Sequence, residues 1–124
     1  LKSIDYLSIH MPLNKDTKNM INLNNLKTMK KNAIIINTAR GGIINEKDLD
    51  IALKENIIFG AGLDVFEKEP INMDNPLINN NKVLLSPHSS TFTKECTARM
   101  GIETVQNIID FFENKIKKNM IIKL

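Results

Sequence analysis

The sequence predicts an α/β fold: part of a doubly wound parallel sheet of about four strands, followed by a long C-terminal helix. Three observations lead there. Four short apolar runs, residues 4–10, 33–38, 60–65 and 83–86, have strand length and β-branched content. Helical or turn-like stretches separate them, which is the alternation of an α/β chain. Residues 33–36 and 83–85 are continuously apolar rather than alternating. Strands covered on both faces read that way, and they belong to parallel sheets.

Taken in order, the first strand gives way to a polar stretch and then to a short helix expected over residues 24–31. A second helix is expected over 45–55, with Asn45 as its N-cap and Asp48 three residues on, close to a capping box. Leu49, Ala52 and Leu53 have helical spacing, and Asn56 ends the helix. Residues 67–81 hold Pro70, Pro76 and a triple Asn and read as a surface loop. A long amphipathic helix is expected over 93–117, its stripe of Val105, Ile108, Ile109, Phe112 and Ile116 facing a core.

The 124 residues fit one domain. With 42% hydrophobic and 25% charged residues, the composition is that of a globular protein. No apolar run approaches the roughly 20 residues of a membrane helix, and no signal peptide is visible. The first residue is Leu1 in strand-like sequence, as in a piece of a longer protein. The single cysteine, Cys96, excludes an internal disulfide, and nothing suggests a Cys-ligated metal site, which suits a reducing cytoplasm. The net charge of +3 comes from scattered lysines with one small cluster, Lys115, Lys117 and Lys118. Two arginines, one Tyr and no Trp argue against a nucleic-acid surface.

Three features stand where an α/β sheet places its site, at strand C-termini. The first is Asn37-Thr38-Ala39-Arg40-Gly41-Gly42. Its arginine can grip a carboxylate through two parallel hydrogen bonds, and its glycines let the chain turn sharply. The second runs from Gly62 through Asp64 to Glu69 and Pro70. Asp64 can accept a hydrogen bond from an amide; Glu67 reads as a solvated loop acid. The third is Ser86-Pro87-His88. Histidine is the default proton donor or acceptor near neutral pH, and His10 stands at another strand end. A carboxylate beside a histidine favours the imidazolium, and an arginine nearby can anchor a substrate carboxylate and polarise its carbonyl. Together these groups could move a proton on or off a hydroxyl while a cofactor moves a hydride. No metal-ligand cluster and no serine or cysteine nucleophile motif is apparent.

These segments resemble the D-isomer-specific 2-hydroxyacid dehydrogenase family. The resemblance runs from His10-Met11-Pro12-Leu13 and Thr17–Ile21, through residues 36–46 and 60–70, to Ser86-Pro87-His88 and Thr93-Lys94-Glu95. It implies the C-terminal part of a Rossmann-like NAD-binding domain. Arg40, Glu69 and His88 are then the catalytic residues: Arg40 binds the substrate's carboxylate and keto oxygen, and Glu69 pairs with His88. Asp64 is implied to contact the nicotinamide carboxamide, Thr38 and Ala39 to lie along the cofactor, and Met11 and Pro12 to lie near its adenosine end. Arg40, His88 and Ser90 complete the implied cofactor contacts.

Two positions depart from the family pattern. Ser89-Ser90-Thr91 replaces a common Gly-Ala pair, so backbone shape and polarity around the nicotinamide are expected to differ. Met11 stands where small or polar residues are common. No Gly-x-Gly-x-x-Gly occurs, so the pyrophosphate loop and most of the substrate domain are expected upstream of Leu1. The implied activity is reversible reduction of a small 2-oxo acid, of the 3-phosphoglycerate or glyoxylate/hydroxypyruvate type. The cofactor is NAD, with NADP open, in a full-length homodimer, with residues 1–124 inactive alone. Two alternatives remain at this point: a cofactor-sensing corepressor of the same fold, and a truncated chain without activity.

Overall fold

The computed structural model describes residues 1–116. The chain divides into two compact units, Leu1–Ser90 and a second beginning at Thr91. In the first, β1 (Tyr6–Ile9), β2 (Ile34–Asn37), β3 (Gly60–Leu63) and β4 (Val83–Leu85) form one parallel sheet in the order β1-β2-β3-β4. The four expected strands are all present, β1 and β2 trimmed at both ends and β3 and β4 at the C-terminal end alone. The register places Ile9 beside Asn37, Asn37 beside Leu63, and Leu63 beside Leu85. The strands therefore end level, and their four following loops emerge side by side.

The elements between the strands follow from local chemistry. The first helix is α1 (Leu23–Leu26), shorter than the expected 24–31. Asn22 caps it, accepting from the Asn24 and Asn25 amides, and the Asn25 side chain returns to the Asn22 N–H in a complete capping box. Beyond Leu26 the bonds tighten to three-residue spacing, and the Thr28 hydroxyl donates to the Asn25 carbonyl at 2.7 Å. Such side-chain bonds compete with helix continuation.

The second helix, α2 (Glu46–Lys54), starts at the expected cap: the Asn45 side chain accepts from the Asp48 N–H at 3.1 Å. The Asp48 carboxylate does not close the box. It accepts instead from the Leu23 N–H at 2.9 Å, tying α2 to the start of α1. Asn56 follows α2 in the left-handed region, as its place at the helix end requires. The expected surface loop 67–81 holds a 3₁₀ turn, Pro76–Asn79, capped by Asn75. Its Leu77 is fully buried, so this segment is part of the core.

The expectation of strands buried on both faces needs correcting for this unit. Side chains along β2 alternate between half-buried and buried, and Leu84 of the edge strand β4 is exposed. The reason is topological. Parallel neighbours taken in sequence order, each joined by a right-handed crossover, carry all their connections on one face. The core forms on that face from Ile9, Ile35, Ala61 and Leu63 with Leu26, Ile43, Leu49, Leu53, Ile58 and Leu77.

The second unit contains α3 (Lys94–Phe112), with Thr93 capping the Cys96 N–H at 3.1 Å. The expected helix over 93–117 stops at Phe112, and Asn114 then adopts a left-handed conformation. Position 117 and the cluster residues Lys117 and Lys118 lie outside the described residues. No residue of α3 is buried, so the expected core stripe is corrected: Val105, Ile108, Ile109 and Phe112 are exposed. Among its described residues this unit has one helix, which offers the stripe no second element to pack on. No described helix is long and apolar enough to cross a membrane.

The phase of α2 can be tested by substitution. Leu53 is fully buried and its neighbour Ile51 is 38% exposed. Leu53→Ala should cost about 2–5 kcal/mol through lost burial and the cavity left behind. Ile51→Ala should stay within about 0.5 kcal/mol. Urea unfolding midpoints measure both, and equal losses would place the wrong face of α2 on the core.

Candidate active site

The four level strand ends set the site. β1 leads into His10, Met11 and Pro12; β2 into Thr38, Ala39 and Arg40; β3 into Asp64; and β4 into Ser86 and His88. Every residue expected to act therefore lies within a few positions of that row, except Glu69 and Ser90, which the following loops carry back.

The loop after β2 is braced from below by Asn37, which is 2% exposed. Its Nδ2 donates to the Arg40 carbonyl at 2.9 Å, and its Oδ1 accepts from the Ala39 N–H at 3.1 Å. Gly42 has φ +80°, the left-handed region that glycine tolerates. Gly41 has a different constraint: a Cβ there would lie 1.8 Å from the Phe66 carbonyl oxygen. That contact presses the Arg40 loop against the loop after β3. The Arg40 side chain is exposed, donates to the Ala39 carbonyl at 2.6 Å, and makes no ion pair among the described residues. It lies with His10, Met11, Pro12, Thr38 and Ala39 around a hollow of about 310 Å³.

Asp64 is 2% exposed, and three donors converge on its carboxylate. The Ser86 hydroxyl donates to Oδ1 at 2.6 Å, the Ser89 N–H to Oδ1 at 2.8 Å, and the Ser90 N–H to Oδ2 at 2.9 Å. Burial alone would push its pKa up. The hydrogen bonds from Ser86, Ser90 and Ser89 outweigh that and take it down to about 2. The turn they secure holds His88 at φ +52°, a conformation that costs a non-glycine residue about 1–3 kcal/mol unless its surroundings impose it.

So held, His88 directs Nδ1 at Glu69 Oε2, 2.7 Å away. The other Glu69 oxygen accepts from the Phe66 N–H at 2.9 Å. The His88 hydrogen bond and the Phe66 amide hold the Glu69 carboxyl below its ordinary value, against a smaller opposing effect of burial. The charges of His88 and Arg40 add to the lowering. An ionised Glu69 can only accept, so the shared proton sits on His88 Nδ1. Nε2 makes no hydrogen bond among the described residues and is free to face a reactant. Phe66, Pro70, Ile71 and Pro87 line an apolar hollow of about 190 Å³ beside the pair.

The structure thus gathers Met11, Pro12, Thr38, Ala39 and Arg40 around one hollow, and Glu69 and His88 beside another. Asp64 and Ser90 join beneath the His88 turn. No group of three or more His, Cys, Asp or Glu residues that could hold a metal ion occurs among the described residues. The bracing roles of Asn37, Ser86 and Ser89 were not apparent from the sequence. The one available signal was three serines within five positions after β4, facing an aspartate at the end of an apolar strand.

Residues 1–90 match the model of the D-isomer specific 2-hydroxyacid dehydrogenase NAD-binding domain. The chain belongs to this family. It is 42% identical over 121 residues to a glyoxylate reductase from Korarchaeum cryptofilum, covering 98% of this chain and 36% of that protein. Among solved structures, it resembles the NAD-complexed D-isomer specific 2-hydroxyacid dehydrogenase of Lactobacillus delbrueckii ssp. bulgaricus. The TM-score is 0.81 at 29% identity, over 95% of this chain and 40% of that one. It also resembles an acyclic imino acid reductase in complex with NADPH and D-Arg, with TM-score 0.83 and 38% identity, over 92% of this chain and 36% of that one. The chain spans little more than a third of the length of the curated relatives it matches.

The depressed Asp64 pKa carries a pH prediction. A carboxylate whose folded pKa lies below its unfolded value stabilises the fold above the unfolded pKa, and that stability is lost as pH falls through the folded one. For Asp64 the window runs from the ordinary 3.8 down to about 2, and the contribution is about 2 kcal/mol. Asp64→Asn should lose about 1–3 kcal/mol at neutral pH, because its amide NH₂ must face a donor. Its deficit relative to the wild type should shrink as pH falls through that window. Denaturant unfolding at several pH values measures both, and a constant deficit would contradict the assignment.

Proposed function

We propose that this chain is the catalytic part of a longer NAD(P)-dependent oxidoreductase that reversibly reduces a small 2-oxo acid to the D-2-hydroxy acid. Glyoxylate and hydroxypyruvate are the favoured substrates. The observation that carries the proposal is an arginine after β2 with no ion pair among the described residues, together with a histidine after β4 backed by the carboxylate that the loop after β3 carries. The identity of 41–43% to three glyoxylate reductases over nearly the whole chain supports the substrate choice.

The hollow after β1 and β2 suits part of a dinucleotide. It is open, of ligand-site size, and has a cation, Arg40, at its rim. Met11 and Pro12 would hold the adenosine end, Thr38, Ala39 and Arg40 the path along it, and Asp64, His88 and Ser90 the nicotinamide end. Asp64 would act there together with the Ser90 segment it secures. When bound, NAD(P)H supplies the hydride.

The chain's own residues do the rest. Arg40 takes the substrate carboxylate in a two-pronged grip and polarises the neighbouring carbonyl. His88 Nε2 gives its proton to the keto oxygen as negative charge develops there. Glu69 keeps the imidazolium oriented and stabilises it before transfer. In the oxidative direction Nε2 takes the proton back. The apolar hollow of Phe66, Pro70, Ile71 and Pro87 limits water beside the His88–Glu69 pair.

The test is NADH and NADPH oxidation by the intact protein with glyoxylate, hydroxypyruvate and pyruvate. The proposal expects turnover with glyoxylate or hydroxypyruvate, and none from residues 1–124 alone, whose sequence has no Gly-x-Gly-x-x-Gly loop to hold the pyrophosphate. Arg40→Lys keeps the charge but loses the planar fork, so KM should rise and kcat fall together. Unchanged kinetics in that variant would remove Arg40 from its role.

A further inference from the structure

Glu46 is the first residue of α2, next to the helix cap, and belongs to neither hollow that lines the proposed site. Its carboxylate nevertheless reaches the loop after β3. Oε1 accepts from the Glu67 N–H at 2.5 Å, and Oε2 accepts from the Asn75 side-chain amide at 2.7 Å. Asn75 is already fixed, since its Oδ1 caps the 3₁₀ turn at the Leu77 N–H. One carboxylate therefore clamps both ends of the segment that carries Glu69.

The clamp acts beside two other links between the same loops. Gly41 abuts the Phe66 carbonyl without room for a Cβ, and the Asp64 N–H donates to the Asn37 carbonyl at 3.0 Å. Phe66 is the residue whose N–H holds Glu69 Oε1. The Phe66–Glu67 peptide is thus gripped on one side by the Arg40 loop and on the other by Glu46. Its amide neighbour fixes the carboxylate that orients His88.

We infer that Glu46 is a positioning residue for the proposed reaction: it holds the Phe66–Glu67 peptide so that Glu69 meets His88 at a fixed distance from Arg40. This rests on the reading of Glu69 and His88 given above. Glu46 touches neither reactant nor His88, so its loss acts through the placement of Glu69. A displacement of about 1 Å at a reacting group can cost about 100-fold in rate.

The experiment compares Glu46→Ala, Glu46→Gln, Glu46→Asp and Glu69→Gln in the intact protein. It uses pH–rate profiles for glyoxylate reduction and hydrogen exchange at the Glu67 amide. Reduction needs protonated His88, and removing the neighbouring anion destabilises that form. Glu69→Gln should therefore move the alkaline limb to lower pH. Glu46→Ala should move it in the same direction, lower kcat/KM by about 10- to 100-fold, and expose the Glu67 amide to exchange. Glu46→Gln keeps an acceptor for the Glu67 N–H but turns its NH₂ toward the Asn75 amide, so it should recover the Glu67 protection and reverse most of the limb shift. Glu46→Asp retains the charge with shorter reach, should fold, and should fall between.

A limb that moves in Glu69→Gln but not in Glu46→Ala or Glu46→Asp overturns this inference alone. So does a Glu46→Gln variant as displaced as Glu46→Ala. A limb that stays in place even in Glu69→Gln overturns the reading of the Glu69–His88 pair, and this inference with it.

Discussion

Burial of the Asp64 carboxylate at the end of β3 is the constraint on which the site depends. An ionised carboxyl cannot remain inside the molecule without donors, because leaving it unpaired costs several kcal/mol. The donors available are the Ser86 hydroxyl and the Ser89 and Ser90 amides. Satisfying the carboxylate therefore dictates the path of the chain after β4. That path puts His88 in a conformation it would not adopt by itself. The residue proposed to transfer the proton is thus placed by a charge that need not touch the substrate.

The second half of the geometry comes from close packing. Asn37 shapes the Arg40 loop, and Gly41 lets it press on the Phe66 carbonyl. The groups proposed to bind the anion and transfer the proton sit on loops of different strands, yet this contact ties those loops into one frame. The level register of β1 to β4 makes this possible: a one-residue slip would separate the loops by a strand's rise and turn side chains to the opposite face. In this way a rigid sheet delivers precision to exposed loops.

Much of this was legible in the sequence, for identifiable reasons. Strand count, the Asn45 cap and the helix end at Asn56 are local properties of short segments, and they emerged where periodicity and turn chemistry placed them. The nearness of Arg40 and His88 to strand ends, with Glu69 in the loop beyond β3, followed from the alternation of strands and helices. What was not legible depended on partners distant in sequence. Asp48 bonds Leu23, 25 residues away, and Glu46 bonds Asn75, 29 residues away. No spacing rule signals such pairs. The apolar run in β2 resembled a strand covered on both faces, because composition does not record which face a crossover occupies. The stripe on α3 had the periodicity of a core helix, but periodicity shows only that one face is apolar, not what covers it.

The central claim is that His88, fixed by Asp64 and backed by Glu69, gives its proton to the substrate. Single-turnover reduction of glyoxylate by the intact protein, with NADH already bound, tests it most directly when wild type is compared with His88→Gln. Glutamine fills a similar space but cannot serve as the acid. The account predicts a loss of roughly 100- to 10,000-fold in the reduction step, with NADH affinity measured by fluorescence little changed. A His88→Gln protein that reduces glyoxylate within a few-fold of the wild-type rate would contradict it.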